Sequence, residues 1–159
     1  MKVSHVLTLA TLSLVTMSNS CRKEDVMPCA TTLAVLETTT VPGLKATITE
    51  PIPTLDQSND YVVNSEAEYR ALFAETKLPP VDFTTHTLLA GKTRTATGST
   101  VAAQLVTQTC NSYKYTVKLT ATERVKPTNV TYYVLLPKLP LGAKIEFDVQ
   151  LPQAAAASK

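Results

Sequence analysis

Cys21 is the residue whose surroundings in this 159-residue chain point most directly to a chemistry. An apolar run over residues 6–17 and three small polar residues, 18–20, precede it, and the charged stretch 22–25 follows it. A short positive start, an apolar run of about a dozen residues and small residues before a cleavage point are typical of an export signal. A cysteine directly after the cleavage point can take a lipid on its thiol and, after cleavage, another on its freed amine.

This arrangement resembles a bacterial lipoprotein signal. The resemblance implies a signal peptide over residues 1–20, a lipidated tether over 21–30 and a palmitate-type anchor on Cys21. The charged stretch after the cysteine resembles lipoproteins of the Bacteroidota, so we expect an exported protein anchored at the outer membrane or cell surface. Ordinary secretion, with Cys21 left as a thiol, is the alternative. The run at 6–17 is shorter than the about 20 residues that span a bilayer.

The two other cysteines, Cys29 and Cys110, are candidates for a disulfide, because an exported compartment permits one. Their pairing would close a loop of about 80 residues, which stabilises a fold by on the order of 4 kcal/mol in the chain-entropy model. Two separate thiols are the alternative. The sequence has no CxxC motif and no His/Cys cluster. We therefore expect no metal site and no cofactor.

The sequence offers few candidate catalytic residues. His86 is the single histidine after residue 20, and a hydrolase could combine it with Asp82 and Cys110 as base, orienting carboxylate and nucleophile. No nucleophile-elbow motif accompanies them. We expect His86 to be polar surface and Asp82 to cap backbone N–H groups in an Asx-type turn. The sequence therefore predicts no catalytic residues and no enzyme.

Charge is unevenly distributed along the chain. Residues 21–89 hold 5 basic and 10 acidic side chains, whereas residues 90–159 hold 9 basic and 3 acidic ones. The simpler interpretation is that the two halves pack together and complement each other. The alternative is a basic face directed at an acidic partner. Nucleic acid is not expected as a partner, because the basic residues are scattered rather than clustered.

Other polar and aromatic groups receive structural interpretations. Glu66, Glu68 and Glu75 are expected on one solvated helix face. Tyr132 and Tyr133 could form an aromatic platform, but neighbours in a strand point to opposite faces, so we expect one ring in the core and one near its rim. Asn129 begins a sequon, and a strand start is the simpler explanation for it.

The pattern of apolar residues predicts a mainly β fold, an antiparallel β-sandwich or open barrel, within a single domain over residues 31–152. Residues 113–122 alternate strictly, which indicates a strand with one wet face. Residues 130–136 are more continuously apolar and suit an inner strand. Residues 50–60 are predicted as loop and 153–159 as a frayed tail. The predicted strands are 32–36, 61–63, 87–95, 100–109, 113–122, 130–136 and 145–151.

One short helix is predicted, at about 66–75. Ser65 and Glu68 form a capping box at its start, and Tyr69, Leu72 and Phe73 follow at helical spacing. Two consecutive prolines at 79–80 end the helical region. We expect this helix to cover an end or an edge of the β structure.

The order of features from residue 61 onward resembles a known family. The segment Tyr61-Val62-Val63-Asn64-Ser65-Glu66 leads into the helix, Pro79-Pro80-Val81-Asp82-Phe83 precedes a strand, and a final strand follows Pro137-Lys138-Leu139-Pro140. Over residues 61–151 this resembles the C-terminal domain of the PrcB family, named for a lipoprotein subunit of a spirochaete surface protease complex. The resemblance implies a lipoprotein that binds another surface protein and gives no binding residues.

These observations together predict a lipid-anchored, non-catalytic envelope lipoprotein, held to the membrane through Cys21. It would act as a protein-binding accessory subunit of a surface complex, such as a complex with a protease. The alternative is a carbohydrate- or small-ligand-binding module on the cell surface. Sugar sites commonly use exposed aromatic rings, and the chain has no tryptophan.

Overall fold

Strands dominate the protein. The structure, a computed structural model, describes residues 33–45, 47–52, 54–73, 75–110 and 112–152. Of these described residues, strand accounts for 51% and helix for 6%, which confirms the predicted mainly β class. In chain order the elements are β1 Ala34–Val35, β2 Ser58–Val63, α1 Glu66–Leu72, β3 His86–Thr95, β4 Ser99–Thr109, β5 Ser112–Ala121, β6 Thr128–Pro137 and β7 Lys144–Gln150.

The strands form two sheets that pack face to face. The four-stranded sheet has the order β1-β4-β5-β7 and the three-stranded sheet the order β2-β3-β6. Leu89 and Tyr132 of the three-stranded sheet belong to the same buried cluster as Tyr115 and Val117 of the four-stranded sheet. This packing confirms the predicted sandwich, and the strands described here do not close into a barrel.

The strict alternation of β5 is what builds this core. Tyr113, Tyr115, Val117 and Leu119 are buried, whereas the lysines and threonines between them point to the opposite face. Alternation of period two sends all apolar side chains of a strand to one side, so a single sequence pattern defines both a buried and a wet face. The interpretation of this strand from its sequence is confirmed.

The strand direction differs from the prediction at one position. Strand β7 pairs with β5 in parallel, with Ser112 beside Lys144 and Lys118 beside Gln150. The other strand pairs within the two sheets are antiparallel, as predicted. The chain leaves β6 at the end of the sandwich where β5 begins, and the short connection 138–143 therefore starts β7 in the same direction as β5.

A third layer covers the outer face of the three-stranded sheet. Val41, Leu44, Ile48, Tyr69 and Phe73 form a second buried cluster with Val63, Leu88 and Ala90 of that sheet. The helix therefore covers a sheet face, and the prediction of an end or edge position was wrong. The apolar side chains on one side of the helix pack on this sheet face, which would otherwise be exposed to solvent.

Strand β3, not the predicted 130–136, is central in the three-stranded sheet. It pairs with β2 on one side and with β6 on the other. Beyond β6, the described backbone pairs only at the isolated bridge between Thr39 and Leu135. The prediction of an inner strand did not distinguish coverage of a strand's two faces from pairing at its two edges. Both faces of β6 are covered, which explains its continuous apolar run, but one of its edges lies at the sheet border.

The helix has the predicted capping box but ends earlier than predicted. Glu68 N donates to Ser65 Oγ at 3.3 Å, and Ser65 N donates to Glu68 Oε2 at 3.1 Å. The helix stops at Leu72 instead of residue 75, because Phe73 adopts extended backbone angles and pairs with Ile48. Tertiary pairing with the segment that covers the sheet thus overrides helical continuation.

Two predicted strand limits also change. Strand β2 starts at Ser58 rather than residue 61, because residues 58–60 pair with residues 91–93 of β3. Strand β1 covers only Ala34–Val35, which pair with Gln108 and Thr107. The signal peptide 1–20, the tether 21–30 and the tail 153–159 lie outside the described residues.

The sandwich has two ends with different contents. We call one the Cys110 end: it holds the start of β3, the turn between β4 and β5, the end of β6 and the start of β7. We call the other the Val125 end: it holds the β3–β4 hairpin, the loop between β5 and β6 and the end of β7. The chain enters the described fold at the Cys110 end, because Ala34 lies beside Gln108.

Candidate functional site

The predicted lipid site and one predicted disulfide partner cannot be placed on the fold. Cys21 and Cys29 both lie outside the described residues. Cys110 follows β4 directly, with a left-handed φ of 52°, and it is disulfide-bonded. The chain has only these three cysteines. The pairing of Cys110 with Cys29 stays a prediction.

The residues of the hydrolase alternative do not form a catalytic arrangement. The Asp82 carboxylate accepts hydrogen bonds from Thr84 N at 2.9 Å and from Thr85 Oγ1 at 2.9 Å. The Nδ1 atom of His86 lies 2.8 Å from Thr85 Oγ1, so the carboxylate reaches the imidazole only through a threonine hydroxyl. The sulfur of Cys110 is in a disulfide and cannot attack as a thiolate.

Asp82 has the structural role that its position in the sequence predicts. It accepts bonds from both the hydroxyl and the backbone N–H of Thr84 and from the hydroxyl of Thr85. The Thr84 hydroxyl contributes most to lowering the pKa of Asp82 from 3.8 to about 2. The capping turn is confirmed, and it fixes the chain just before β3.

Replacing Asp82 by asparagine is expected to change the acid stability of the fold. A carboxylate whose folded pKa is depressed stabilises the fold above its unfolded pKa of 3.8, and that stabilisation is lost as pH falls through about 2. Urea midpoints at pH 7, 4 and 2 should therefore fall less steeply toward acid in Asp82→Asn than in the parent protein. Identical pH dependence in both proteins would show that this carboxylate is not stabilising.

The two adjacent tyrosines of β6 are structural rather than a binding platform. Tyr132 is 2% exposed in the inter-sheet core and its hydroxyl donates to Asp60 Oδ1 at 2.9 Å. Its ring lies over Gly91, where a Cβ would be 2.3 Å from Cε2. Tyr133 packs on the opposite face and donates to the Leu44 carbonyl at 3.1 Å. The prediction that neighbouring rings point to opposite faces is confirmed.

The three glutamates predicted on one solvated helix face have different surroundings. Glu68 closes the capping box, and hydrogen bonds from backbone N–H groups, first that of Asn64, lower its pKa. Glu66 pairs with Arg70 one turn later. Glu75 lies beyond the end of the helix and its Oε1 atom is buried, so its assignment to the helix face was wrong. Asn129 is the second residue of β6 and is exposed.

The basic residues of the second half do not gather on one described face. Lys92 is 8% exposed, and its Nζ donates to the carbonyls of Ile48 and Glu50 at 2.8 and 2.9 Å, which holds that segment over the sheet. Lys114 pairs with Glu146 and Asp148 across β5 and β7. Arg94 Nη1 donates to the Ile52 carbonyl at 3.3 Å. The remaining described basic residues of this half lie on three separate regions: Lys118 on the wet face of β5, Arg124 and Lys126 at the Val125 end, and Lys138 and Lys144 at the Cys110 end.

One exposed feature of the described residues is the loop 122–127, which we call the Val125 loop. Each of its residues is exposed, and Val125 is exposed to 87% between Arg124 and Lys126. Gly98 of the β3–β4 hairpin holds the loop through two 2.7 Å backbone bonds, Gly98 N to Arg124 O and Thr122 N to Gly98 O. These bonds fix the loop with an apolar side chain directed to solvent.

Only glycine fits at position 98. A Cβ there would lie 2.3 Å from Thr122 Oγ1 and 2.5 Å from Arg124 Cβ, both closer than carbon atoms approach other heavy atoms. The absence of a side chain therefore permits the close contact between hairpin and loop. The contact ties Thr122 and Arg124, the residues just before Val125, to the hairpin.

A groove of about 420 Å³ lies beside the Val125 loop. Its walls include Ala96, Val125, Leu151 and Pro152, which are apolar, and Asp56 and Arg124 supply opposite charges. The Asp56 backbone is held by a 2.7 Å bond from its N–H to the Arg94 carbonyl. Such a groove can receive an apolar side chain that has a charged or polar neighbour.

The sequence contains a weak signal for this site, which sequence reasoning missed. That signal is a lone valine between two cations, followed by Pro127. Its significance depends on Gly98, which lies 27 positions away and contacts the loop only after the hairpin forms. No local pattern reveals that contact.

Comparison of the chain with family models, curated proteins and solved structures found no match. Within the residues that the structure covers, no group of three or more His, Cys, Asp or Glu side chains is placed to bind a metal ion. The same residues include no helix with the length and apolar character needed to cross a bilayer.

Proposed function

We propose that this chain is a lipid-anchored, non-catalytic β domain of the cell envelope, and that it docks on a partner protein through its Val125 end. The observation that carries the docking site is the Val125 loop, a fixed loop with an 87% exposed valine between two cations. A bound conformation that is already present in the free protein lowers the entropic cost of association.

The anchor follows from the lipoprotein-like signal before Cys21. If Cys29 is the partner of Cys110, eight peptide units separate the acylated residue from the fold, and they span at most about 28 Å. The longest strand, β4, has 11 residues and is about 36 Å long. The short tether would therefore keep the Cys110 end near the bilayer and direct the Val125 end away from it.

The chemistry of the Val125 end defines the partner. Val125 suits an apolar pocket, and Arg124 and Lys126 suit carboxylates at the rim of that pocket. Apolar anchors surrounded by polar contacts are typical of protein–protein interfaces. The resemblance to the PrcB family supports a surface protein, such as a protease, as the partner, with this chain as its accessory subunit.

A photo-cross-linking side chain placed at position 125 in the native host tests the docking site. The matched position is Leu105, which is also exposed and apolar but lies on the wet face of the four-stranded sheet. We expect one envelope protein to be cross-linked from position 125 and not from position 105. Equal cross-linking from both positions would contradict the proposed surface.

Val125→Asp is expected to weaken that interaction. Loss of an apolar anchor of this kind costs on the order of 1–2 kcal/mol in binding, so the partner recovered with the protein should fall about ten-fold. Leu105→Asp is the matched control, because Leu105 is also apolar and exposed but lies on the wet face of the four-stranded sheet. Full recovery of the partner with Val125→Asp would count against the proposed site.

A further inference from the structure

The connection between β6 and β7 presents a fully exposed leucine at the Cys110 end. Residues 140–143 form a tight turn in which Ala143 N donates to the Pro140 carbonyl at 3.1 Å, and Gly142 adopts a left-handed φ of 77°. Leu141 occupies the tip and is 101% exposed. Burial of an apolar side chain away from water is favourable, but this turn leaves the leucine side chain in solvent.

A second exposed leucine lies at the same end. The pairing of Ala34 with Gln108 places Leu33, which is 64% exposed, next to the residue that precedes Cys110. Lys144 begins β7 beside Ser112, at the other edge of the same sheet. The two leucines therefore flank the β4–β5 turn from opposite edges of the four-stranded sheet.

We infer that the Cys110 end rests on the bilayer surface, with Leu141 entering the interfacial layer of the lipids. This inference rests on the proposed lipid anchor. The occupant is a lipid surface rather than a protein because the chain between the proposed anchor and the described fold is short: Leu33 lies 12 positions after Cys21. Fully extended, this segment reaches about 40 Å. Because it joins the fold at the Cys110 end, where Ala34 pairs with Gln108, an acylated Cys21 brings this end nearer to the membrane than the Val125 end.

The contact is mainly apolar. Lys138 and Lys144 lie at this end, but so do Asp82 and Glu68, and Lys138 is bonded to the carbonyls of Asn64 and Phe83. The mixed charge gives no strong preference for anionic lipid. One leucine does not hold a free protein on a bilayer, but an anchor raises the effective concentration of the loop at the surface, so a weak contact becomes populated.

Single tryptophans test this orientation, because the chain has none of its own. Leu141→Trp reports on the Cys110 end and Val125→Trp on the opposite end. Each acylated protein is reconstituted into phosphatidylcholine vesicles with brominated acyl chains, which quench tryptophan at short range. We expect quenching at position 141 to exceed that at position 125 by at least about two-fold, together with a blue-shifted emission at position 141.

A second attachment separates this inference from the proposed anchor. A hexahistidine tag placed just before residue 21 binds the same variants to vesicles that contain nickel-chelating lipid, whether or not the native protein is acylated. Preferential quenching at position 141 in this arrangement supports the membrane contact even if no acyl group is found. Equal, weak quenching at both positions on the nickel-lipid vesicles would overturn the contact, whatever mass spectrometry shows about acylation.

Discussion

Replacing Cys21 by serine is expected to abolish incorporation of fatty acid into the protein. The proposed anchor begins with a thioether on the Cys21 sulfur, and a serine hydroxyl supplies no thiolate for that bond. Growth of the native host with an alkyne-tagged fatty acid, followed by purification of the protein, measures incorporation directly. The parent protein should carry the tag and Cys21→Ser should carry none.

Cys29→Ser is the matched control for this experiment. It removes another cysteine of the predicted tether and leaves the apolar run and the small residues before Cys21 unchanged. We expect its fatty-acid incorporation to equal that of the parent protein. Undiminished incorporation in Cys21→Ser would mean that acylation, if present, occurs at another residue.

Cys110→Ser is expected to lower the free energy of unfolding by about 2–5 kcal/mol. Cys110 is disulfide-bonded, and removal of a native disulfide from a small exported domain typically has an effect of this size because the unfolded chain gains conformational freedom. Urea unfolding of a form that starts at residue 21, with and without reductant, measures the loss. Reductant should destabilise the parent protein and leave Cys110→Ser unchanged.

The same measurement on the other two cysteines identifies the partner. Cys29→Ser should be as destabilising as Cys110→Ser, and Cys21→Ser should have the stability of the parent protein. If Cys21→Ser were destabilised and Cys29→Ser were as stable as the parent protein, the disulfide would join Cys21 to Cys110. A sulfur in a disulfide cannot also carry a thioether, so that outcome would remove the acceptor on which the proposed anchor depends.

The parts of the fold that the sequence predicts are those with local causes. The alternation over residues 113–122 and the capping box of Ser65 and Glu68 each specify their element without reference to distant residues, and the structure has both. The turn at Asp82 is of the same kind, because its hydrogen bonds reach only two or three residues along the chain.

The errors arise where distant segments decide the outcome. A continuous apolar run shows that both faces of a strand are covered, but it does not show which strands lie at its edges; hence β6 was expected at the centre that β3 occupies. The parallel pairing of β7 depends on which end of the sandwich receives the chain after β6. The early end of the helix depends on the pairing of Phe73 with Ile48.

The candidate site shows the same division. The sequence singles out Cys21 through a local pattern, and the chemical residues it considers, Asp82 and His86, are also close in sequence. The Val125 loop carries no motif, and its fixed shape comes from Gly98 across the hairpin. Docking surfaces of this type consist of ordinary side chains whose exposure is known only once the chain is folded.

Peptide mapping by mass spectrometry of the protein purified from its native host, without reductant, tests the central claim most directly. Our account predicts an amino-terminal peptide that starts at Cys21 and carries a diacylglyceryl thioether, together with a cross-linked peptide that joins Cys29 to Cys110. An unacylated amino terminus, or a disulfide from Cys21 to Cys110, would contradict it.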